Sequence, residues 1–174
     1  MNTDIRIEPW ADDDLELLRR ANTPEMTEHL GGPESEQKLL DRHRRYLELG
    51  DPHAGRMFRV VLLPDGQPAG IVGYWQRVWQ DETVYETGWQ VLPEFQGRGI
   101  ATAAVAAVVA AALEQRRHIP AYPSVENVAS NAIPRKLGFE LAGEYDFEYP
   151  PGHIMRCNDW RLALSDPTAH GHQT

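Results

Sequence analysis

Residues 96–101 read Gln-Gly-Arg-Gly-Ile-Ala and stand between a strand-like segment (residues 83–92) and an alanine-rich helical segment. Gly97 and Gly99 permit backbone dihedrals that a side chain would forbid, or a close approach to a ligand. The first turn of the helix leaves amide N–H groups unpaired, and the helix dipole adds partial positive charge there. Such a turn cradles a phosphate, with Arg98 as a charged wall. The sequence therefore predicts a site for a phosphate-bearing cofactor.

Two common phosphate-binding turns do not fit. No Gly-Lys-Ser/Thr closes this turn, which excludes a P-loop. The dinucleotide fingerprint lacks its third glycine, because Thr102 takes that position, and no acidic residue follows at about 20 residues. Residues 96–101 instead resemble the Q/R-x-x-G-x-G/A signature of the GNAT superfamily of N-acetyltransferases. In that family the helix N-terminus grips the pyrophosphate of acetyl-coenzyme A (acetyl-CoA).

A second motif extends the resemblance. Residues 127–139 read Asn-Val-Ala-Ser-Asn-Ala-Ile-Pro-Arg-Lys-Leu-Gly-Phe, similar to the family's later N-x-x-S helix that ends in Leu-Gly-Phe. Both motifs occur in the family's order and at about its spacing, so the resemblance covers roughly residues 82–139. Upstream, residues 28–33 (Glu-His-Leu-Gly-Gly-Pro) resemble the branch that includes ribosomal-protein N-terminal acetyltransferases. The resemblance implies an acetyl-CoA-dependent N-acetyltransferase.

The resemblance also implies which positions bind the cofactor. They lie at the end of the strand, in the glycine turn and at the start of the later helix. These positions are Val91, Leu92, Gln96, Gly97, Arg98, Gly99, Ile100, Ala101, Thr102, Asn127 and Ser130. Asn127 is also an ideal helix N-cap, and both roles are compatible.

Acetyl transfer to an amine needs a base for the amine proton and a donor for the developing oxyanion. In the family the donor comes from the strand before the glycine turn, here the backbone at Val91 and Leu92. Glu86 lies on this strand, where many relatives carry a glutamate that works through ordered water. We expect Tyr85 and Trp89 to lower the dielectric around its carboxyl group. The alternative is an outward-facing glutamate on a half-exposed strand.

The sequence differs from the family pattern at the residue that would give a proton to the leaving thiolate. Many relatives place a tyrosine five residues before the phenylalanine of Leu-Gly-Phe, whereas this chain has Pro134, which has no proton to give. Either the thiolate leaves without a dedicated acid or another group serves. Ser130 is one candidate, although its hydroxyl is equally suited to bonding the local backbone. Tyr145 and Cys157 are weaker candidates.

The acceptor remains open between the α-amine of a protein and a small-molecule amine. A peptide needs an open groove between residues 26–49 and the last strands. A small amine suits a closed pocket with buried carboxylates, for which Glu144, Asp146 and Glu148 are candidates.

A function of another class also remains open, a non-catalytic acyl-CoA-binding or regulatory module, because the tyrosine acid is missing. The central aromatic residues serve either as core or as pocket walls: Trp75, Trp79, Tyr85 and Trp89.

Bulk properties restrict the class of protein. The 174 residues suffice for one core, and the net charge of −9 argues against nucleic-acid binding. The single cysteine and the histidine spacing predict no disulfide and no metal site. The longest apolar run, residues 100–113, is too short for a typical membrane span, and the N-terminus does not resemble a signal peptide. We expect a cytoplasmic protein whose exposed C-terminal strand edges offer a route to a homodimer.

Apolar periodicity and turn residues predict seven strands and four helices. The strands are expected near residues 4–8, 57–63, 69–78, 83–92, 119–125, 139–148 and 154–164, and the helices near 12–18, 35–49, 100–115 and 127–137. This order is that of the GNAT fold, an α/β (α+β) fold with a mixed, splayed central sheet of about seven strands and helices on both faces. We expect a single N-acetyltransferase domain over residues 1–164 and a disordered tail over residues 165–174.

Overall fold

The computed structural model of the protein describes residues 4–79, 81–113, 119–148 and 151–162. Within these ranges the chain forms one seven-stranded sheet and four α-helices, in the order that the sequence predicts. The strands are β1 (Ile5–Pro9), β2 (Gly55–Leu62), β3 (Gln67–Trp79), β4 (Glu82–Val91), β5 (Ile119–Ala121), β6 (Glu140–Glu148) and β7 (Ile154–Leu162). The helices are α1 (Leu15–Arg20), α2 (Glu36–Glu48), α3 (Ile100–Leu113) and α4 (Val128–Lys136).

Local signals explain where several elements begin and turn. The Ser35 hydroxyl accepts a hydrogen bond from the Lys38 amide and caps α2. The β2–β3 hairpin turns at Gly66, whose φ is 72°, and the β3–β4 hairpin turns at Asp81, whose φ is 63°. Glycine and aspartate are the residue types that tolerate such left-handed backbone.

Helices cover the sheet on both faces. Successive side chains of a strand point to opposite faces, and both Ile71 and Val72 of β3 are buried, as are Val60 and Val61 of β2. Helix α2 contacts β2, α1 contacts β3, and α3 contacts β1, β3 and β4. Helix α3 is almost wholly apolar, and its buried side chains include Ile100, Ala104, Val105, Val108 and Ala112.

The sheet opens between β4 and β5. Its strand order is β1-β2-β3-β4-β5-β7-β6, and only the β4–β5 neighbours run parallel. These two strands are joined by one residue pair, Thr87 with Ala121. Farther along, the Val125 amide donates to the Arg156 carbonyl at 3.0 Å, so the chain follows β7 instead of β4. Strand β5 is therefore shorter than the predicted range of residues 119–125, because Pro123 has no N–H with which to continue the ladder.

Strand β6 is an outer edge of the sheet and carries a row of exposed acidic side chains: Glu140, Glu144, Asp146 and Glu148. Charged side chains on an edge strand disfavour pairing with a strand of another molecule. Dimerisation through the C-terminal strand edges stays a prediction.

None of the helices in the described ranges combines the length and apolar character that crossing a membrane requires. No group of three or more His, Cys, Asp or Glu side chains in the same ranges is placed to hold a metal ion. The tail predicted over residues 165–174 and the last two residues of the helix predicted over residues 100–115 lie outside the described residues.

Candidate functional site

The gap between β4 and β5 continues into a groove with a volume of 1430 Å³. One wall comes from residues 21–49, which include the α1–α2 connection and α2. The other wall comes from residues 122–136 and the ends of β6 and β7, and the floor comes from β4 and the glycine turn. Glu86 and most of the predicted cofactor positions line this groove, namely Val91, Gln96, Gly97, Gly99, Ile100, Ala101, Thr102, Asn127 and Ser130.

The glycine turn has the open backbone that the sequence predicts. Gly97 and Gly99 adopt φ values of 77° and 76°, and a Cβ atom on either would meet no atom within 4 Å. The Ala103 amide donates to the Gly99 carbonyl at 3.1 Å, which starts the helical ladder of α3. The amides of residues 97–102 donate to no acceptor in the described part of the chain. They are clustered donors at the positive end of a helix dipole, which is the chemistry that binds a phosphate.

Gln96 ties this turn to the strand before it. Its Nε2 donates to the Val91 carbonyl at 2.9 Å and contacts the Met26 sulfur at 3.8 Å on the facing wall. The Leu92 amide donates to the Ala69 carbonyl of the neighbouring strand at 2.9 Å. Because bonding directions alternate along an antiparallel strand, the Val91 amide points to the side of β4 that faces the gap. Of the two predicted backbone donors, Val91 faces the groove and Leu92 is engaged in the sheet.

Arg98 lies outside the lining of the groove. Its Nη2 donates to the Glu94 carbonyl at 3.3 Å, and its guanidinium carbon lies 5.7 Å from the centre of the Phe95 ring. The charged wall that the sequence predicts is therefore not supplied by Arg98 in this structure. The donors that this turn presents to the groove are the backbone amides.

The first turn of α4 brings Asn127 and Ser130 to the groove. Asn127 Oδ1 accepts a hydrogen bond from the Ser130 amide at 3.0 Å, which confirms the predicted N-cap. The half-buried Ser130 hydroxyl has no hydrogen-bond partner within the described ranges. Pro134 is buried one turn later, so the position of the family's tyrosine contributes no proton donor.

Asn131 fixes α4 against β7. Its Nδ2 donates to the carbonyls of Ser124 and Asn127, both at 2.8 Å. Its Oδ1 accepts from Asn158 Nδ2 at 2.7 Å and from Trp160 Nε1 at 2.8 Å. All four hydrogen-bonding positions of the amide are used, and the side chain is buried. This network determines where the start of α4, with its capping residue, stands beside the groove.

Glu86 lies directly opposite Trp75 of β3. Its Oε2 accepts hydrogen bonds from Trp75 Nε1 at 3.0 Å and from Arg77 Nη1 at 2.8 Å. No donor in the described residues bonds Oε1, and the side chain is 15% exposed. The expected neighbours Tyr85 and Trp89 are on the opposite face of β4, because side chains alternate along a strand. The surroundings of this carboxyl group are therefore set by Trp75 and Arg77, which corrects the expectation from sequence.

Two further titratable groups share this part of the groove. Burial raises the pKa of the Cys157 thiol to about 11, and the negative charge of Glu86 adds to the effect. Burial also raises the pKa of the Tyr122 phenol, with the charges of Asp159 and Glu86 acting in the same direction. Both groups line the groove and are protonated at neutral pH.

The carboxylates proposed for a small-amine pocket are not buried. Glu144 and Asp146 are exposed and bind Arg156 at 3.3 Å and 3.2 Å. Glu148 lines the groove but is also exposed, and it accepts a hydrogen bond from the Gly152 amide at 2.8 Å. A closed pocket with buried carboxylates is therefore not formed by these three side chains.

Sequence reasoning missed Arg77 and Tyr122. The guanidinium carbon of Arg77 lies 5.2 Å from the centre of the Tyr122 ring and 4.8 Å from that of Phe147. The available signal was the predicted β3–β4 hairpin, because its register places the side chain of Arg77 diagonally across from Glu86. Among the central aromatic residues, Trp75 and Trp89 line the groove, whereas Tyr85 is buried in the core; the Trp79 side chain lies outside the described part of the structure.

Comparison with known proteins agrees with this geometry. The model of the acetyltransferase (GNAT) domain matches residues 4–140. No curated protein matches the chain by sequence.

Several solved structures share the fold. An acetyltransferase from Salmonella typhimurium that modifies the N-terminal serine of 50S ribosomal subunit protein L7/L12 is 16% identical, with a TM-score of 0.75 over 95% of this chain and 97% of that chain. RimL, the ribosomal L7/L12 alpha-N-protein acetyltransferase, in complex with coenzyme A is 16% identical, with a TM-score of 0.74 over 94% and 96%. A ribosomal-protein-alanine N-acetyltransferase from Brucella melitensis is 21% identical, with a TM-score of 0.71 over 91% and 99%. These similarities confirm the predicted mixed α/β fold.

Proposed function

The chain belongs to the acetyltransferase (GNAT) family, and we propose that it transfers the acetyl group of acetyl-CoA to a primary amine. The observation that carries this proposal is the groove in which the glycine turn, the start of α4 and Glu86 meet. The presence of coenzyme A in one of the similar structures supports the choice of cofactor.

The residues of the turn fit the pyrophosphate of acetyl-CoA. The amides of residues 97–102 are available as donors, and Gly97 and Gly99 leave open space where a side chain would project. Thr102, Asn127 and Ser130 line the groove beside this turn. We assign the Val91 amide, which faces the gap, to the thioester oxygen.

In the proposed reaction, the neutral amine nitrogen attacks the thioester carbonyl carbon, so that a C–N bond forms and the C–S bond breaks. The amine proton passes through water to Oε1 of Glu86, the oxygen that no donor of the described residues occupies. The Val91 amide stabilises the negative charge that develops on the carbonyl oxygen. The electron pair of the C–S bond leaves on the coenzyme A sulfur, which takes a proton from the Ser130 hydroxyl. Ser130 takes up a proton from solvent as it gives up its own, and Glu86 releases the amine proton to solvent, so both groups return to their starting states.

Ser130 is preferred as the proton donor for a structural reason. Its hydroxyl lines the groove and makes no competing hydrogen bond in the described ranges. Tyr145 does not line the groove. Cys157 does, and its high pKa keeps it protonated, but it is 1% exposed and therefore screened from a ligand.

The open groove favours a peptide N-terminus over a small amine as the acceptor. It runs between residues 21–49 and the ends of β6 and β7, which is the arrangement expected for a peptide. The exposed positions of Glu144, Asp146 and Glu148 leave no buried carboxylate among them to hold a small ammonium ion. Two of the similar proteins acetylate the N-terminus of ribosomal protein L7/L12, which supports the same choice.

A non-catalytic acyl-CoA-binding module is the second candidate. Pro134 in place of the tyrosine favours it, as does the ion pair that occupies Oε2 of Glu86. The two candidates differ in whether an amine is acetylated when the cofactor is bound.

The test compares wild-type protein with Glu86→Gln, using Glu140→Gln, an exposed position on β6, as the matched control. Acetyl-CoA binding is measured by calorimetry, and acetylation of a panel of peptides and small amines by mass spectrometry. We expect all three proteins to bind acetyl-CoA, and only Glu86→Gln to lose turnover, by about 10²-fold or more. A wild-type protein that binds acetyl-CoA and acetylates nothing would favour the module. Full turnover by Glu86→Gln would remove Glu86 as the base.

A further inference from the structure

We propose that Arg77 is a positioning residue for Glu86, which holds one carboxylate oxygen and leaves the other for the proton of the acceptor amine. The inference rests on the proposed function, in which Glu86 receives that proton. Arg77 exchanges no proton and forms no bond with either reactant. It acts through the orientation of Glu86.

Two donors converge on one oxygen of Glu86. Trp75 Nε1 and Arg77 Nη1 both donate to Oε2, at 3.0 Å and 2.8 Å. The indole of Trp75 lies across β4 at Gly88, where a Cβ atom would stand 2.7 Å from Trp75 Cη2. Two donors with fixed positions restrict rotation of the carboxyl group, as partners of a reacting group do in other active sites. Oε1, which no donor of the described residues bonds, is then the oxygen left to take a proton.

Arg77 is itself held from the other side of the gap. Tyr122 follows β5, Phe147 belongs to β6, and the guanidinium carbon of Arg77 lies within 5.2 Å and 4.8 Å of their ring centres. The two rings contact each other, with centres 5.1 Å apart. A guanidinium over an aromatic face is attracted by the ring quadrupole. Arg77 therefore spans the opening between the two parts of the sheet, and both parts determine its position.

Among the described residues, Arg77 is the cation that contacts Glu86. The Tyr122 phenol and the Cys157 thiol line the same part of the groove, and the raised pKa of each keeps it neutral at pH 7. More distant carboxylates, Asp159 and Asp146, act on Tyr122 and Cys157 respectively. Without Arg77, Trp75 is the one donor to Glu86 left in the described ranges, and a single hydrogen bond leaves the carboxyl group free to turn.

The orientation of Glu86 can be followed without any acceptor. The indole N–H of Trp75 donates to Glu86 Oε2, so the chemical shift of its NMR signal, assigned with Trp75→Phe, reports that hydrogen bond. The variants are Arg77→Met, Arg77→Lys and the matched control Arg156→Met, whose arginine also pairs with carboxylates but does not line the groove. We expect the indole N–H signal to shift in Arg77→Met at pH 7, because the carboxyl group loses its second fixed donor. The signal should return toward the wild-type position in Arg77→Lys and stay unchanged in Arg156→Met.

Kinetics with a reactive acceptor provide the second readout. We expect Arg77→Met to lower kcat about tenfold, less than the about 10²-fold or more that a general base contributes, with the KM for acetyl-CoA unchanged. Arg77→Lys should recover part of the lost kcat. A residue that only ties the sheet together would change stability and leave both kcat and the indole N–H signal of Trp75 unaltered.

An indole N–H signal of Trp75 that stays at the wild-type position in Arg77→Met would overturn the inference, whatever the activity. If the methionine variant does not fold, Arg77→Gln provides the same comparison. A wild-type protein that does not bind acetyl-CoA would overturn the proposed function instead, and the Trp75 signal would still decide whether Arg77 orients Glu86.

Discussion

Replacing Asn131 with alanine should destabilise the protein by about 2–4 kcal/mol, which is large for a single side-chain amide. The substitution leaves the Ser124 and Asn127 carbonyls satisfied, because each still accepts a backbone hydrogen bond, from the Asn127 and Asn131 amides at 3.0 Å and 3.1 Å. The two side chains that donate to Asn131 Oδ1 are left without this acceptor. The Trp160 indole loses its acceptor where the ring is 4% exposed, and Asn158 Nδ2 loses its acceptor as well. The buried unsatisfied donor of Trp160 costs about 1–3 kcal/mol, and the lost part-buried hydrogen bond of Asn158 costs about 0.5–1.5 kcal/mol.

Urea unfolding at pH 7 measures this effect, with Asn22→Ala as the control. Asn22 also makes two hydrogen bonds with backbone groups, those of Glu34, but it is only partly buried, so water can replace it. We expect a loss of about 1 kcal/mol for Asn22→Ala and an unchanged m-value for both variants. A loss below about 1 kcal/mol for Asn131→Ala, or one equal to the control, would refute the argument that this amide fixes α4 against β7.

Gly88→Ala places a Cβ atom 2.7 Å from Trp75 Cη2, so the indole must move; we expect a loss of about 1–3 kcal/mol in urea unfolding and a shifted Trp75 indole N–H signal. An unshifted signal would show that the indole does not lie across β4. The Cys157 thiol, with a pKa of about 11, should react with iodoacetamide at pH 8 at least about a hundredfold more slowly than in the urea-unfolded protein; equal rates would contradict its burial. The hydrogen bond from Arg59 holds the pKa of Glu8 below its usual value of 4.5. The interaction between the two side chains therefore stabilises the folded protein above that pH, and this stabilisation is lost as the pH falls below it. Arg59→Met should therefore lower the urea midpoint at pH 7, and the difference from wild type should narrow below about pH 4; a constant difference would contradict the linkage.

The features that the sequence predicts well are those with local causes. The positive φ angles of Gly97 and Gly99 follow from a Gly-x-Gly turn that must join a strand directly to a helix. The N-cap at Asn127 follows from the residue type and the helical pattern behind it. The order of strands and helices follows from apolar periodicity in the same way.

The surroundings of Glu86 have non-local causes. The sequence neighbours of Glu86 were expected to surround its carboxyl group, but alternation along β4 puts Tyr85 on the other face of the sheet. Its actual partners come from β3, and the rings that hold Arg77 come from the end of β5 and from β6. Placing them requires the register of the β3–β4 hairpin and the course of the chain after β5. The local periodicity of apolar residues specifies neither this register nor the course of the chain.

The length of β5 and the orientation of the Arg98 side chain also depend on contacts that the local sequence does not specify. Pro123 redirects the chain toward β7, where the Val125 amide finds the Arg156 carbonyl. Arg98 belongs to the predicted turn, yet its guanidinium finds the Glu94 carbonyl and the Phe95 ring beside that turn. In both cases a single hydrogen-bond partner decides the outcome, and the residue type does not specify which partner is nearby.

The central claim is that the glycine turn binds acetyl-CoA, and calorimetric titration of the purified protein tests it most directly. The comparison includes coenzyme A, NAD, Gly99→Glu and the control Gly66→Glu; Gly66 has the same left-handed backbone and open surroundings but lies in the β2–β3 turn, outside the groove. We predict a dissociation constant on the order of 1 µM for acetyl-CoA with the wild type and Gly66→Glu, and no binding of NAD. Folded Gly99→Glu should not bind, because its carboxylate would stand among the phosphate donors. A folded wild-type protein that binds neither acetyl-CoA nor coenzyme A, or a Gly99→Glu variant that binds as tightly as the wild type, would contradict the assignment of the turn and the catalytic roles built on it.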